Sequence, residues 1–381
     1  MKIGINARFL SKPFTGIGQY TKNLFIELAK IDHENQYIFV VHEEVPVEIK
    51  RSLPKNAEIK IIKEKSLGSK GVKKTWWEQI SVPEFFIKEK VDIAFFPYPS
   101  NPWTNDFYKK GIKVFVTVHD TIPWTHKNYS SKLLSRMYHS QSKKAVNKAD
   151  VVLTVSEYSK KEIEKNCHTD SSKIHVIYND ADEVYKLKID KYTEEEILEK
   201  FELVKDGFFL YCGGYDERKN VGKLVHEYSE FSKENEDFSL VLAGGKVLDT
   251  DLYSSFDRIK NRHGEIIKTG FLSSNELHVL YKNCLAFVHF SKEEGFNIPL
   301  IEAANSKAPL IISNIPAHRE IAKDSALFVN ISRDNHGAKQ MEKVLDNAFR
   351  NTLKEKSEDL SKDYSWKKSA QKLKDMLSFT Q

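Results

Sequence analysis

Short, nearly unbroken apolar runs recur along this chain, each followed by a segment with helical spacing. That alternation constrains the fold more than any other feature. VDIAFF (91–96), IKVFVTV (112–118) and VVLTVS (151–156) hold too few polar residues for a sheet with one wet face. They need cover on both sides, as in a parallel sheet whose crossovers are helices. KIGIN (2–6), YIFVVH (37–42), IKII (59–62) and a strand at 174–178 extend the series, with helices at 18–30, 130–148 and 157–165. Leu24, Phe25 and Leu28 share one face of the first helix, and Ser156 is a natural N-cap for the third. A second series begins at FFLYCG (208–213) and runs through SLVLAGG (239–245), EIIKTGFL (265–272), CLAFVHF (284–290), PLIISN (309–314) and ALFVN (326–330). Its helices are expected at 220–232, 249–262, 274–283, 316–323 and 338–351.

At 381 residues the chain exceeds what one core usually covers. The fold class expected is α/β, with two doubly wound domains facing across a cleft. Residues 1–178 form the first and 207–355 the second. Residues 179–206 read as a polar linker containing a short helix capped by Thr193. The terminal stretch 356–381 carries an amphipathic helix at 363–379, with Trp366, Ala370, Leu373 and Leu377 on one face. It must dock on one domain or cross between both.

The net charge of +5 conceals an asymmetry: residues 1–180 hold 29 Lys/Arg against 20 Asp/Glu, leaving the remainder acidic. Six lysines fall between 60 and 74 and lead into Trp76 and Trp77. Two readings stand for that stretch: a solvated loop beside core aromatics, or contact with an anionic membrane or a lipid diphosphate. The aromatics and cations are blocked in succession rather than interleaved, which disfavours nucleic acid as a partner. Three widely spaced cysteines fit a reducing compartment. No apolar run reaches 18 residues and the N-terminus has too short an apolar region for a signal peptide, so a cytoplasmic location is expected, with any membrane contact peripheral.

The chemistry concentrates in FVHFSKEEGFNIPLIEA (287–303). A strand runs into a charged turn and then a helix with Pro299 near its start, the general geometry of an anion site in an α/β sheet. Glu294 and Glu302 flank it. Two carboxylates would repel phosphates but would hold hydroxyls, so the ligand expected has a charged middle and hydroxyl-bearing ends, as a nucleotide sugar does. Arg218 and Lys219 follow the strand at 208–213 on the same sheet edge, placed to neutralise a diphosphate. Gly244 permits close backbone approach, and Gly270, Phe271 and Leu272 form a candidate wall for the base. In the first half, Gly16 and Gly18 precede a helix without the G-x-G-x-x-G spacing of a dinucleotide site. His119 and Asp120 end the strand at 112–118, where α/β sheets place their chemistry. Neither an H-E-x-x-H nor a His/Cys cluster occurs, and no metal ion or other cofactor is expected.

Taken together, these segments resemble a family 4 glycosyltransferase, a retaining class with the GT-B fold of two Rossmann-like domains. They are similar in particular to bacterial mannosyltransferases of O-antigen and surface-polysaccharide (lipopolysaccharide) biosynthesis. The motifs span nearly the whole chain: NARF with TGIGQY, WWEQISVPEF, VDIAFFPYP, VTVHDTIPW and ADVVLTVSEYSKKEI, then GGYDERKN, LVLAGG, TGFLSSNELHVLY, SKEEGFNIPLIEA and PLIISNIPAHREI. The resemblance implies that Glu294 holds hydroxyls of the donor sugar and Glu302 the ribose. Gly295, Phe296, Asn297 and Ile298 form the diphosphate turn, with N–H groups from Asn297 and Ile298 beside Lys219 and Arg218. Gly16 and Gly18 would let a loop close over the phosphates. His119, steadied by Asp120, would lie near the sugar. At Gly214 many relatives carry Arg, so Arg218 is expected to substitute. The implied reaction is metal-independent hexosyl transfer with retention, from GDP-mannose to a saccharide or lipid-linked oligosaccharide at the inner face of the cell membrane. The residues themselves leave the donor open to UDP- or dTDP-sugars. An epimerase on the same fold and a non-catalytic nucleotide-sugar binder are the remaining readings.

Overall fold

The computed structural model describes residues 1–65, 68–100, 102–103, 105–125, 133–245 and 264–378. The helix expected at 249–262 and the start of the one expected at 130–148 lie outside them. The chain divides into two compact units, Met1–Asn179 with Ser365–Gln381, and Asp180–Tyr364.

The first unit is a parallel sheet of β1 (Lys2–Asn6), β2 (Gln36–Val41), β3 (Ala57–Ile61), β4 (Ile93–Phe96), β5 (Lys113–Val118), β6 (Val151–Thr154) and β7 (Ile174–Val176), in the order β3-β2-β1-β4-β5-β6-β7. All four residues of β4 are buried, as a strand covered on both faces requires. Phe25 and Phe95 meet edge to face at 5.1 Å on one side, while Phe86 and Phe96 do so at 6.2 Å. Burial of each such side chain contributes about 1.5–3 kcal/mol, so the interleaved aromatics hold both helical layers to the sheet.

The second unit is built from β8 (Phe208–Cys212), β9 (Ser239–Ala243), β10 (Ile266–Gly270), β11 (Ala286–His289), β12 (Leu310–Ser313) and β13 (Leu327–Val329), also parallel, in the order β10-β9-β8-β11-β12-β13. Counted within each unit, both sheets run 3-2-1-4-5-6, and the first adds a seventh strand at its far edge. Each therefore has a switch point between its first and fourth strands, where crossover helices pass to opposite faces and ligands bind in such sheets. Those points are β1/β4 and β8/β11.

Several boundaries differ from the sequence reading. Residues 180–206 belong to the second unit. Their helix, Lys191–Lys200, is capped by Asp190, which accepts from the Thr193 N–H at 3.0 Å; Thr193 lies inside the helix. The single helix expected at 338–351 is two, His336–Lys343 and Asn347–Ser361, separated where Asp346 caps the second through the Phe349 N–H. The final helix, Trp366–Ser378, buries Trp366, Ala370, Leu373 and Leu377 and belongs to the first unit. Ser369 Oγ donates to the Tyr178 carbonyl at 2.6 Å and Lys374 to the Ile31 carbonyl at 3.1 Å. Of the tryptophan pair, Trp77 is wholly buried and its indole N–H bonds the Ile62 carbonyl, so it packs in the core.

Candidate functional site

The second unit brings Arg218, Lys219 and Glu294 together beside its switch point. β8 ends at Cys212 and leads to a short 3-10 turn, Glu217–Lys219, while β11 ends at His289 and leads to the turn bearing Glu294. Backbone bonds lock the two turns: the Lys292 N–H donates to the Arg218 carbonyl at 2.8 Å, and Asn220 Nδ2 to the Phe290 carbonyl at 3.2 Å. Asn220 itself is left-handed, φ 53°, which reverses the chain into the helix Val221–Ser232.

Glu294 is buried and accepts four side-chain hydrogen bonds. Oε1 receives Lys219 Nζ at 2.7 Å, Ser291 Oγ at 2.6 Å and His289 Nε2 at 3.2 Å; Oε2 receives Arg218 Nη1 at 2.6 Å. Burial works against its charge, but Lys219, the His289 bond and Arg218 outweigh it and hold the carboxyl well below the usual range. His289 is fully buried and burial lowers it to about 4, so the ring is neutral and its Nε2–H is a hydrogen-bond donor, not an ion-pair partner. Arg218 is shared among Glu294, the Glu293 carbonyl and Asp216, whose Oδ1 lies 3.4 Å from Nε. Lys219 bonds Glu294 and is the more readily redirected cation.

The turn then passes through Gly295 and Phe296, both buried, to Asn297, the N-cap of the helix Ile298–Asn305, with φ 77° and ψ 76°. An N-cap Asn ordinarily caps with its side chain. Here none does so, and Asn297 Nδ2 turns instead to His318 Nε2 at 3.0 Å. His318 is held in turn by the Ser313 carbonyl at 3.0 Å and Ser313 Oγ at 3.1 Å. Burial lowers His318 to about 3, which keeps Nε2 an acceptor for the amide. The helix start at Ile298, with Pro299 in its first turn, is thus left without a side-chain cap beside Arg218 and Lys219. Glu302, one turn on, is buried and accepts from Tyr281 O–H at 3.2 Å; it forms a separate group from Glu294.

The remaining expected positions line the neighbouring strand ends. Gly244 has φ +91°, and its N–H bonds the Gly270 carbonyl at 2.8 Å. Gly245 has φ +76°, and a Cβ there would fall 1.7 Å from the Tyr215 ring. Phe271 is exposed beyond β10 and Leu272 half-buried. Gly214 is exposed, and a Cβ there would meet only Asp216 Oδ2, at 3.5 Å. The chain contains two D-x-D spacings. Asp180 is bound to the Ala181 N–H and Lys186, and Asp182 caps the turn at 183–186, so that pair is structural. The other spacing, at 249–251, lies outside the described residues.

In the first unit, His119 Nε2 donates to the Pro97 carbonyl at 2.8 Å and its ring meets Tyr20 edge-on at 4.7 Å. Burial lowers it to about 4, so it is neutral, with Nδ1 as its acceptor. Asp120 Oδ1 accepts from the Ile122 N–H at 3.1 Å, which starts the next helix. Gly16 is the first residue of the helix Gly16–Ile31, and Gly18 N–H is capped by Thr15 Oγ1 at 3.1 Å. His289, Ser291, Ser313 and His318 are site residues that the sequence reading did not single out. The signal available was polar residues at the ends of otherwise apolar strands.

Two parallel sheets with the same strand order define the GT-B architecture. Residues 14–183 match the model described as Glycosyltransferase Family 4, and residues 193–363 match Glycosyl transferases group 1. The two models together span most of the chain, and both describe glycosyltransferases. It is 32% identical over 219 residues to the O-antigen chain mannosyltransferase RfbU of Salmonella typhimurium, covering 56% of each chain. It is 25% identical over 265 residues to O-antigen chain mannosyltransferase B of Escherichia coli, covering 67% of each. The chain therefore spans about half the length of the first relative and two thirds of the second. Among solved structures, HepE of Anabaena in complex with UDP-glucose superposes with a TM-score of 0.74 over 99% of each chain, at 13% identity.

Proposed function

We propose that this protein transfers a hexose, mannose from GDP-mannose, to a saccharide acceptor of surface-polysaccharide synthesis. The observation that carries this reading is the clustering of Lys219, Arg218 and Glu294 beside an uncapped helix N-terminus at the β8/β11 switch point. A diphosphate there competes with Glu294 for Lys219 and takes up the first-turn N–H groups, and the carboxylate so released accepts sugar hydroxyls. As the glycosidic bond breaks, charge grows on the leaving phosphate, and the cation and helix end stabilise it where water is excluded. Because these groups meet the phosphate charge, the reading needs no metal ion. The acceptor proton passes to the leaving phosphate on the same face, which gives retention. Glu302 is assigned to the ribose and Phe271 with Leu272 to the base. The names of the two O-antigen relatives support mannose as the sugar.

The test is a donor panel of GDP-mannose, UDP-glucose and dTDP-sugars, read by nucleotide release and thermal shift, with product anomeric configuration by NMR. GDP-mannose is expected to respond. A response to UDP-sugars alone defeats the mannosyl assignment, and an inverted product defeats retention.

The acceptor's lipid and the membrane form the second part of the reading. No helix among the described residues is long and apolar enough to cross a bilayer. Lys63 and Lys65 are exposed near exposed Ile61 and Val72, whereas Lys60 pairs with Glu58 and Lys74 with Glu78. Contact with anionic lipid is assigned to the first group. Sedimentation with phosphatidylserine vesicles should fall when Lys63 and Lys65 become glutamine; unchanged sedimentation defeats it.

A further inference from the structure

Asn297 belongs to the residue types that most readily cap a helix with their own side chain, yet at the head of Ile298–Asn305 it does not. Pro299, the second helical residue, has no N–H. A side-chain cap could therefore take only the Leu300 N–H, which bonds the Asn297 carbonyl at 3.1 Å. Asn297 also stands at φ 77° and ψ 76°, whereas capping residues are ordinarily extended and L-residues resist the left-handed region. Its Oδ1 is buried and has no hydrogen-bond partner among the described residues. A cap, a relaxed backbone and a satisfied acceptor are all forgone at this residue. All three would be gained at once if Asn297 became extended and laid Oδ1 on the Leu300 N–H.

The side-chain bond that opposes this change runs from Asn297 Nδ2 to His318 Nε2, at 3.0 Å. His318 lies in the short helix Pro316–Ala322, wholly buried, with Nδ1 3.0 Å from the Ser313 carbonyl. A carbonyl only accepts, so Nδ1 carries the ring proton and Nε2 is bare. The bare nitrogen takes the NH2 end of the amide and refuses the oxygen, which turns Oδ1 away from the ring. Ser313 Oγ, 3.1 Å from Nδ1, donates in turn to the Ser291 carbonyl at 2.6 Å, and Ser291 Oγ donates to Glu294 at 2.6 Å. The ring that restrains Asn297 is thereby fastened to the start of the turn that carries Glu294.

A side-chain cap and a diphosphate compete for the same place. The N–H groups of a first helical turn are what an anion binds there, and a side chain folded across them takes one and covers the others. We infer that His318 is a positioning residue that keeps the Ile298–Asn305 helix open to a diphosphate by holding Asn297 out of its capping conformation. It acts through the Asn297 amide and needs no contact with the ligand. This rests on the nucleotide-sugar reading above and adds the residue that prevents the protein from filling that site itself.

The experiment is isothermal titration of the full chain with GDP and UDP. His318→Phe keeps a ring but accepts no hydrogen bond, and should weaken the nucleotide that binds the parent by at least about fivefold, the scale of a helix cap. Adding Asn297→Gly, which cannot cap with a side chain and is unstrained at positive φ, should restore binding to within about twofold of the parent. His318→Gln, whose amide can donate to Ser313 and accept from Asn297, should bind as the parent does. A histidine with a merely structural role would give the reverse, because removal of Asn297 as well would add to the damage. Melting curves establish that each variant folds; if His318→Phe does not, Asn297→Ser against Asn297→Ala decides. Both lose the bond to His318 but only serine can cap, so the serine variant should bind at least about threefold more weakly. Parent-like binding in His318→Phe overturns the inference. So does a double variant no better than the single, a His318→Gln variant as weak as His318→Phe, or equal affinity in the serine and alanine variants. Silence of both nucleotides toward the parent defeats the nucleotide-sugar reading, and the inference with it.

Discussion

Lys219 Nζ donates to Glu294 Oε1 across 2.7 Å and so joins the turn after β8 to the turn after β11. Glu294 is buried and shares its carboxylate with Arg218, Ser291 and His289 as well. Removal of the lysine leaves those three bonds in place, so the carboxylate stays satisfied and the fold should survive. What is lost is the cation for the leaving phosphate. Lys219→Ala is expected to lower kcat by about 100-fold or more, the scale of an oriented transition-state contact. Arg218→Ala should cost less, because that side chain is also committed to Glu293 and Asp216. Steady-state kinetics with the responding donor checks both; near-normal turnover in Lys219→Ala removes the role assigned to it.

Asn297 sits at φ 77°, where an L-residue is strained by about 1–2 kcal/mol and glycine is not. Its amide bond to His318 offsets that cost. Asn297→Gly should therefore melt close to the parent, whereas Asn297→Ala keeps the strain without the bond and should be less stable than the glycine variant by about 1–2 kcal/mol. Urea unfolding compares the two. Equal stability would mean that the left-handed turn is not held as described.

How far the sequence disclosed this site depends on the kind of contact. The strand ends at His119, Lys219 and Glu294 were legible because parallel strands have to be apolar and their first polar residues mark the edge. The mutual pairing of Lys219 and Glu294 was not, because they are 75 residues apart and only the strand order brings their turns together. His289 and His318 escaped for a related reason. Each lies within or beside an apolar segment and reads as core until its partners are seen. The cap at Asp190 was missed because two residues upstream of the helical pattern offered acceptable caps. The break at 344–346 was missed because the apolar spacing continues across it.

Gly16 and Gly18, which look alike in sequence, are constrained differently. A Cβ on Gly18 would lie 2.3 Å from the Lys12 carbonyl oxygen and 3.0 Å from that of Phe9, both backbone atoms that cannot turn aside. At Gly16 nothing lies within 4 Å. Gly18→Ala is expected to cost about 1–3 kcal/mol through overpacking. Gly16→Ala should be neutral or stabilising by up to about 1 kcal/mol, since alanine suits a helix better than glycine. Thermal melts of the two variants separate the cases. If Gly16→Ala melts normally but loses donor binding, that glycine serves the phosphates; if it keeps donor binding, it does not.

The buried histidines set the pH response of stability. Burial lowers His119 and His289 to about 4 and His318 to about 3, against about 6.5 in an unfolded chain. Between those values the unfolded state binds protons that the native state refuses, so stability rises with pH there and is lost as pH falls below 6.5. Each histidine contributes about 1.4 kcal/mol per pH unit in that window, so a drop from pH 7.5 to 5.5 should cost on the order of 4 kcal/mol for the three. His318→Gln removes one of them while leaving an amide to meet Asn297 and Ser313. Its stability should therefore fall less steeply over the same interval, by about one third of the parent's loss. Urea melts at pH 7.5, 6.5 and 5.5 measure both slopes. Parallel slopes would show that His318 already carries its proton in the native state, and the hydrogen-bond assignment from Asn297 Nδ2 to Nε2 would have to be reversed.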